Sequence, residues 1–278
     1  MATVQNLKKK LQVIRSTKKL TLAMKTASTV KYSRLNTLYG NYEKYEQQCA
    51  QLYKKYRKEF NDVFCFNNTN APICYIVIGA NQGMCGAFNS ELLNYFESIL
   101  ESEEKPSFIF SCGEKVGELF RVKGISYARE YNFDDIPSYF QVQQLYEEIC
   151  CLMQEGKISS VRIVYPQYIN MMKQSPVVCD LFSADETESD NGNSMFVPDK
   201  ETVINNASKK IFVSILYKKV LEAALGAQAA TLTTMRSAYD TACEYCVLLE
   251  TQINRIRQGQ VTADVIEISA EYSTKEDE

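Results

Sequence analysis

The chain has 278 residues, of which 45 % are hydrophobic and 23 % charged, with a formal net charge of −3; that balance supports a sizeable buried core and argues against a disordered chain. No apolar run reaches the ~20 residues that cross a bilayer, and no apolar leader with a small-residue cleavage site opens the sequence, so neither a membrane span nor a secretory signal is expected. Histidine is absent, which removes the commonest general base and metal ligand and with it any serine–histidine–aspartate triad.

From about residue 3 to about residue 60 there is no proline, and the only glycine is Gly40. Val4, Leu7, Leu11 and Ile14 recur at steps of three and four, and the pattern resumes as Leu35, Leu38, Tyr42, Tyr45, Cys49, Leu52 and Tyr56. Such spacing marks a helix whose seam faces a partner helix. Between Thr17 and Val30 the seam turns small and polar and its register shifts, which locally changes a supercoil. This stretch is therefore expected to face something other than the partner helix. No acidic residue precedes Glu43, whereas Lys8, Lys9, Lys10, Arg15, Lys18, Lys19, Lys25, Lys31 and Arg34 do. A basic helix admits nucleic acid, a retained mitochondrial presequence or docking on an acidic protein surface, beside the plain alternative of a solvated face.

The pattern then changes. Ile73-Cys-Tyr-Ile-Val-Ile-Gly79 is a short β-rich apolar run ending in glycine and reads as a buried strand. Gly79-Ala-Asn-Gln-Gly83-Met-Cys-Gly86 follows it and precedes a helix over about 90–100. The spacing is not that of a dinucleotide fingerprint, and no Lys-Ser/Thr follows to make a phosphate loop; glycine here permits a tight turn with positive φ. A strand over 107–111, helices from about 114 and over about 142–155, and a strand over 160–166 complete an alternation that predicts a mostly parallel sheet. Residues 175–182 add an antiparallel strand, and the polar run 185–193 reads as a loop.

A second helix covers about 200–268, with a seam of Leu221, Leu225, Gln228, Leu232, Met235, Tyr239, Ala242, Cys246, Leu249, Ile253 and Ile256, of which only Gln228 is clearly polar. A helix of ~50 residues extends ~75 Å, and one seam of that length would leave too much apolar surface in water. The two seams should therefore bury each other, antiparallel, because the insert joins them at one end; a compact bundle or pairing between chains is the alternative. The ten cysteines are irregularly spaced, mostly among apolar neighbours, as small hydrophobes in a reducing compartment are. Cys243-x-x-Cys246 lies mid-helix without a second pair, which favours two helix-flank residues over a zinc or redox site. The fold class expected is thus α plus α/β: a long antiparallel coiled coil of terminal helices carrying an inserted Rossmann-like domain. The segments are 1–62 and 198–270 for the coiled coil, 71–197 for the α/β domain and 271–278 for an acidic tail.

Four segments, in order and nearly spanning the chain, resemble the gamma subunit of F-type ATP synthases. Ser16-Thr-Lys-Lys-Leu-Thr-Leu-Ala-Met24 is similar to N-T-x-K-I-T-x-A-M. Asn81-Gln-Gly83-Met-Cys85-Gly86-Ala-Phe-Asn89 is similar to D-[KR]-G-L-C-G-G-[FL]-N. Met235-Arg-Ser-Ala-Tyr-Asp240-Thr-Ala242 resembles M-[KR]-x-A-T-D-N-A, and the segment from Asn254 to Ile268 resembles N-x-x-R-Q-x-x-I-T-x-E-[IL]-x-E-I. The chain departs from those patterns at Asn81, Gln82, Thr26, Ala27, Tyr239, Thr241 and Asp264, and in its acidic tail.

The resemblance implies a central rotor shaft, one copy per complex, inside a hexamer of alpha and beta subunits, with an epsilon- or delta-type stalk subunit and a membrane c-ring at its foot. It implies contacts to the surrounding ring at Lys19, Thr21, Met24, Arg257, Gln258, Thr262, Asp264 and Glu267, and a motif loop in the α/β domain at Gly83, Cys85, Gly86 and Asn89. No catalytic, cofactor or metal residue is implied on this chain: ATP, ADP and magnesium belong to the partners, and no nucleic acid is bound. The complex would be peripheral, on a bacterial plasma membrane (cytoplasmic face) or a mitochondrial inner membrane (matrix face). Alternatives are the shaft of a specialised ATPase not coupled to ion flow and a basic coiled-coil nucleic-acid binder.

Overall fold

The computed structural model describes residues 4–56, 60, 71–103, 107–181, 197 and 199–276. In chain order the elements are α1 (Val4–Lys55), β1 (Ile73–Ile78), α2 (Phe88–Ser102), β2 (Ser107–Cys112), α3 (Glu114–Lys123), β3 (Arg129–Tyr131), α4 (Tyr139–Gln154), β4 (Ser160–Asn170), β5 (Lys173–Asp180) and α5 (Lys200–Glu276). The chain divides into two compact units, Met1–Ala27 with Thr234–Glu278, and Ser28–Thr233. The polar run 185–193 lies outside the described residues.

In the larger unit the sheet order is β3-β2-β1-β4-β5. β1 pairs in parallel with β2 and β4, β2 in parallel with β3, and β5 closes the sheet antiparallel to β4. All six residues of β1 are buried, as expected of a central parallel strand covered on both faces. On one face Ile76, Phe110 and Ile163 pack with Val142, Leu145 and Ile149 of α4 and with Phe212 and Leu216 of α5. On the other, Tyr75, Val77 and Ile109 meet Leu92 and Phe96 of α2 and Phe120 of α3. α4 starts on a capping box, Ser138 accepting from the Gln141 backbone N–H while the Gln141 side chain accepts from the Ser138 N–H, which satisfies two otherwise orphaned donors. β3 has no counterpart in the sequence reading; at three residues it is too short to show an alternation.

Within this unit α1 and α5 run antiparallel. Leu35 packs against Leu221 and Leu225, Tyr42 donates to Ser214 at 2.9 Å, and Lys218 pairs with Glu46 at 2.6 Å. In the smaller unit the same two helices pair Arg15 with Glu250 at 2.7 Å.

Two expectations about α1 are corrected. Its buried and half-buried residues fall at 4, 7, 11, 14, 18, 21, 25, 28, 32, 35, 39, 42, 46, 49, 53 and 56; every other residue over 4–56 is exposed except Met24, Lys31, Glu43 and Ala50. That is one unbroken alternation of three and four, so no register shift occurs between Thr17 and Val30, and Thr21 and Ser28 are buried seam residues. Leu38, Tyr45 and Leu52 are exposed, because the stripe passes through Tyr39, Glu46 and Tyr53 instead. On α5 the expected seam holds: Leu221, Leu225, Gln228, Met235, Ala242 and Cys246 are buried, and Leu232, Tyr239, Leu249, Ile253 and Ile256 half-buried. α5 continues as helix through residues 271–276.

Candidate functional site

In the α/β domain, the loop between β1 and α2 is held by a chain of hydrogen bonds through two side chains, Asn89 and Cys85. The Ala80 N–H donates to Asn89 Oδ1 at 3.0 Å, Asn89 Nδ2 donates to Cys85 Sγ at 3.5 Å, and Cys85 Sγ donates to the Gln82 carbonyl at 3.7 Å. Asn89 and Cys85 are both buried, and burial pushes the Cys85 thiol above its ordinary pKa, which keeps it a neutral donor. Met84 and Gly86 both adopt positive φ, 65° and 62°; Gly86 meets this without the Cβ penalty that Met84 carries. Gly83 is exposed and its absent Cβ would meet nothing closer than Lys115 Cε at 4.0 Å. Gly79 is a different case: a Cβ there would come within 2.3 Å of Val116 Cγ2, so close approach of β1 to α3 requires glycine. The motif loop is thus a self-bonded turn whose inward polar groups are already engaged.

The remaining residues lie in the smaller unit. Thr21 is buried, its hydroxyl donating to the carbonyls of Thr17 and Lys18 at 3.1 and 3.0 Å. Lys19 is exposed and Met24 half-buried. At this level of the helix pair stands Tyr239 on α5, with Lys18 Nζ 5.6 Å and Lys25 Nζ 5.4 Å from its ring centroid. Two ammonium groups one heptad apart thus contact a single aromatic ring, each contact worth about 0.5–1 kcal/mol at a surface site. Cys243 beside Lys18 raises that ammonium's pKa, chiefly by hydrogen bonding. The clasp escaped the sequence reading, although the signal was present: Lys18 and Lys25 are seven residues apart on a seam, and Tyr239 is where the family pattern has threonine.

Arg257, Gln258, Thr262, Asp264 and Glu267 are all exposed. The one side-chain hydrogen bond among them in the described residues is local, Thr262 Oγ1 donating to the Gln258 carbonyl at 2.9 Å. Arg15 opposite Glu250 sets the antiparallel register; stepping along it, Thr262, Asp264 and Glu267 fall beyond Val4, the first described residue of α1. Lys19, Thr21 and Met24 therefore stand at one level of the smaller unit and the Arg257–Glu267 group at another. Near and beyond that point Val261, Val265, Ile266 and Ile268 are 54–61 % exposed. Among the described residues, no helix is long and apolar enough to cross a membrane.

These features define a class of protein: terminal helices paired antiparallel, an inserted doubly wound sheet, and a C-terminal helical stretch, Arg257 to Ser269, that is exposed among the described residues. A family model described as ATP synthase matches residues 3–273. The ATP synthase gamma chain of Rubrobacter xylanophilus is 25 % identical over 282 residues, covering 97 % of each chain, and that of Mycoplasma mobile is 27 % identical, covering 99 % of this chain and all of the relative. Among solved structures, a chain of the Euglena gracilis mitochondrial ATP synthase (OSCP/F1/c-ring, rotational state 3) superposes with a TM-score of 0.71 at 17 % identity, covering 98 % of this chain and 94 % of that one. A chain of the Tetrahymena thermophila mitochondrial ATP synthase central stalk and c-ring gives 0.59 over 79 % of this chain and 99 % of that one. The chain belongs to the ATP synthase family as a divergent gamma subunit, the central-stalk subunit of a rotary ATP synthase. Gamma subunits are in general non-catalytic members of their complex.

Proposed function

We propose that the smaller unit works inside a hexamer of alpha and beta subunits, where rotation of the stalk drives the nucleotide sites of those partners through successive states. The observation that carries this is the end of α5. From Arg257 to Ser269 every residue is exposed, and four large aliphatic side chains lie in solvent on a single helix. Exposed apolar surface of that kind marks a partner's binding site. Arg257, Gln258, Thr262, Asp264 and Glu267 then offer charged and polar groups to loops of the ring, making and breaking charge-assisted hydrogen bonds as the stalk turns. Lys19, Thr21 and Met24 take the collar level. ATP, ADP and magnesium stay on the partner subunits, and this chain contributes no cofactor ligand.

The basic helix supports the same reading over nucleic-acid binding. Arg15 is paired with Glu250, Lys31 with Asp135, and Lys18 and Lys25 with Tyr239, so a good part of its charge is engaged within the chain. Attachment to the membrane would come through an epsilon- or delta-type stalk subunit and a c-ring at the foot, with one gamma copy per complex.

Two experiments test this. Purification of the tagged chain should bring down two larger ATPase subunits at three copies each, together with a membrane ring; recovery of the ATPase subunits without a ring would identify an uncoupled relative, and recovery of neither contradicts the proposal. Met24→Lys should leave assembly intact and lower the number of ions pumped per ATP hydrolysed in membrane vesicles, because it adds a charge at the collar with no fixed partner. An unchanged ratio contradicts the collar placement.

A further inference from the structure

At the carboxyl ends of the parallel strands, the loops after β1 and β3 and one face of α5 enclose a cleft. Open α/β sheets bind ligands outside this end of their strands. Its base is apolar, with Ile78, Val220 and Ala224, and its polar groups include Asp134, Asp135 and Gln228. The room inside is about 40 Å³, enough for a few waters or a small planar group.

Gln228 is the polar interruption of the α5 seam. It is 8 % exposed, lines the cleft, and its side-chain amide makes no hydrogen bond to any described residue. Among the described residues the sealed side-chain polar atoms without a partner are Ser111 Oγ and Tyr131 Oη; the Gln228 amide is not one of them, so it opens into the cleft and is free to pair with an occupant there. The neighbouring side chains are engaged elsewhere: Asn81 Nδ2 donates to the Phe133 carbonyl, and Thr231 Oγ1 donates to the Ala227 carbonyl at 2.8 Å. Asp135 Oδ2 accepts from Lys31 at 2.5 Å and from Gln82 at 3.5 Å, and Asp134 Oδ2 accepts from Gln141 at 3.2 Å. The second oxygen of each carboxylate accepts no hydrogen bond from a described residue. Among the described residues, the one ammonium paired with either carboxylate is that of Lys31, so the cleft is net acidic and disfavours phosphate. Its open positions are mainly acceptors, two carboxylate oxygens and the Gln228 carbonyl, beside the N–H donors of the Gln228 amide.

We propose that this cleft binds a guanidinium group. A planar cation with donors on its edge satisfies Gln228 Oε1 and the free carboxylate oxygens together, while its weakly hydrated faces rest on the apolar base. The group comes either from a small free molecule or from an arginine of a partner chain; the chemistry is the same. This inference does not depend on the ring contacts of the smaller unit.

The test is a titration of the full-length, ¹⁵N-labelled chain with ethylguanidinium chloride at matched ionic strength, following the side-chain amide resonance of Gln228, identified by its loss in Gln228→Leu. The expected result is a saturable shift that neutral ethylurea and inorganic phosphate do not reproduce, with binding followed through the backbone amides of Asn81 and Gln82 weakened about tenfold in Gln228→Leu, as loss of one hydrogen bond to a charged group implies. Gln228→Glu, of the same shape with an added charge, should bind more tightly, and it decides the matter if Gln228→Leu does not fold. No saturable shift, or one affinity in all three proteins, overturns the proposal. Repeating the titration in the assembled complex assigns the source: a lost response means that a partner arginine fills the cleft, and a retained response means a free ligand.

Discussion

The helix pair within Ser28–Thr233 and the pair formed by Met1–Ala27 with Thr234–Glu278 share one heptad stripe and fill it with different material. In the larger unit the seam is large and sealed: Leu35 and Leu225 are fully buried and Leu221 is 1 % exposed, with Tyr42 and Tyr217 edge to face at 4.9 Å. α5 there is buried on more than one side, because Phe212, Val213 and Leu216 also enter the core beneath the sheet. In the smaller unit large seam residues such as Leu7, Leu11 and Met235 alternate with small or polar ones, with Thr21, Ala242 and Cys246 buried and Lys18, Lys25 and Tyr239 beside them. Two helices alone shield only a narrow strip, so even Leu7 and Leu11 keep 7 and 8 % exposure. The difference teaches that heptad spacing sets which residues face the partner helix, while a third layer decides how much stability each one contributes.

Substitutions can break or sharpen that contrast. Leu35→Ala should be the costliest, about 3–4 kcal/mol, since its fully buried site is held by three elements and collapses poorly. Leu11→Ala should cost nearer to about 2 kcal/mol, at the lower end for a leucine truncation. Urea unfolding of both variants, with hydrogen exchange to localise the loss, checks the order; equal losses would remove the role assigned to the third layer. Arg15→Ala should cost less than about 1 kcal/mol, because Arg15 and Glu250 are 59 and 45 % exposed and water screens such pairs.

The smallest effect concerns pH. Burial raises the pKa of Glu222, against the lowering influence of Lys219 and of the Tyr168 N–H that it accepts from. The folded chain therefore holds this proton to higher pH than the unfolded chain, and ionising Glu222 costs stability as pH rises from about 4.5 through the raised folded value. Glu222→Gln removes that contribution. Its melting temperature relative to the parent should be most favourable at neutral pH and the gap should narrow on acidification; a gap independent of pH would mean that Glu222 does not titrate differently on folding.

Much of this was legible in the sequence, and the misses have physical causes. The α5 seam could be followed from Leu221 to Ile256 because its inward residues are apolar or small, so spacing and burial agree. On α1 they disagree. Lys18, Thr21, Lys25, Ser28 and Glu46 occupy inward positions, where long side chains reach water past the partner helix and hydroxyls return to their own backbone. Leu38 and Leu52 are apolar yet exposed, and reading them as seam moved the register by one residue at alternate steps. In the α/β domain the buried strands stood out as apolar runs, whereas the edge strand Arg129–Tyr131 carried no periodic signal. The glycine loop was recognisable by its spacing, but the part played by Asn89 was not: an asparagine that opens a helix and ties the preceding loop cannot be told from a solvated one without coordinates.

The account rests on the pairing of the two chain ends within the smaller unit, and photocrosslinking tests it most directly. Gln12 lines a groove with Glu250, Ile253 and Asn254, so benzoylphenylalanine placed at that position in the full-length chain should, on irradiation, join the α1 peptide to the α5 peptide containing Ile253 and Asn254. Crosslinks confined to the segment 73–180, or formed only between separate chains, would contradict the paired-end stalk.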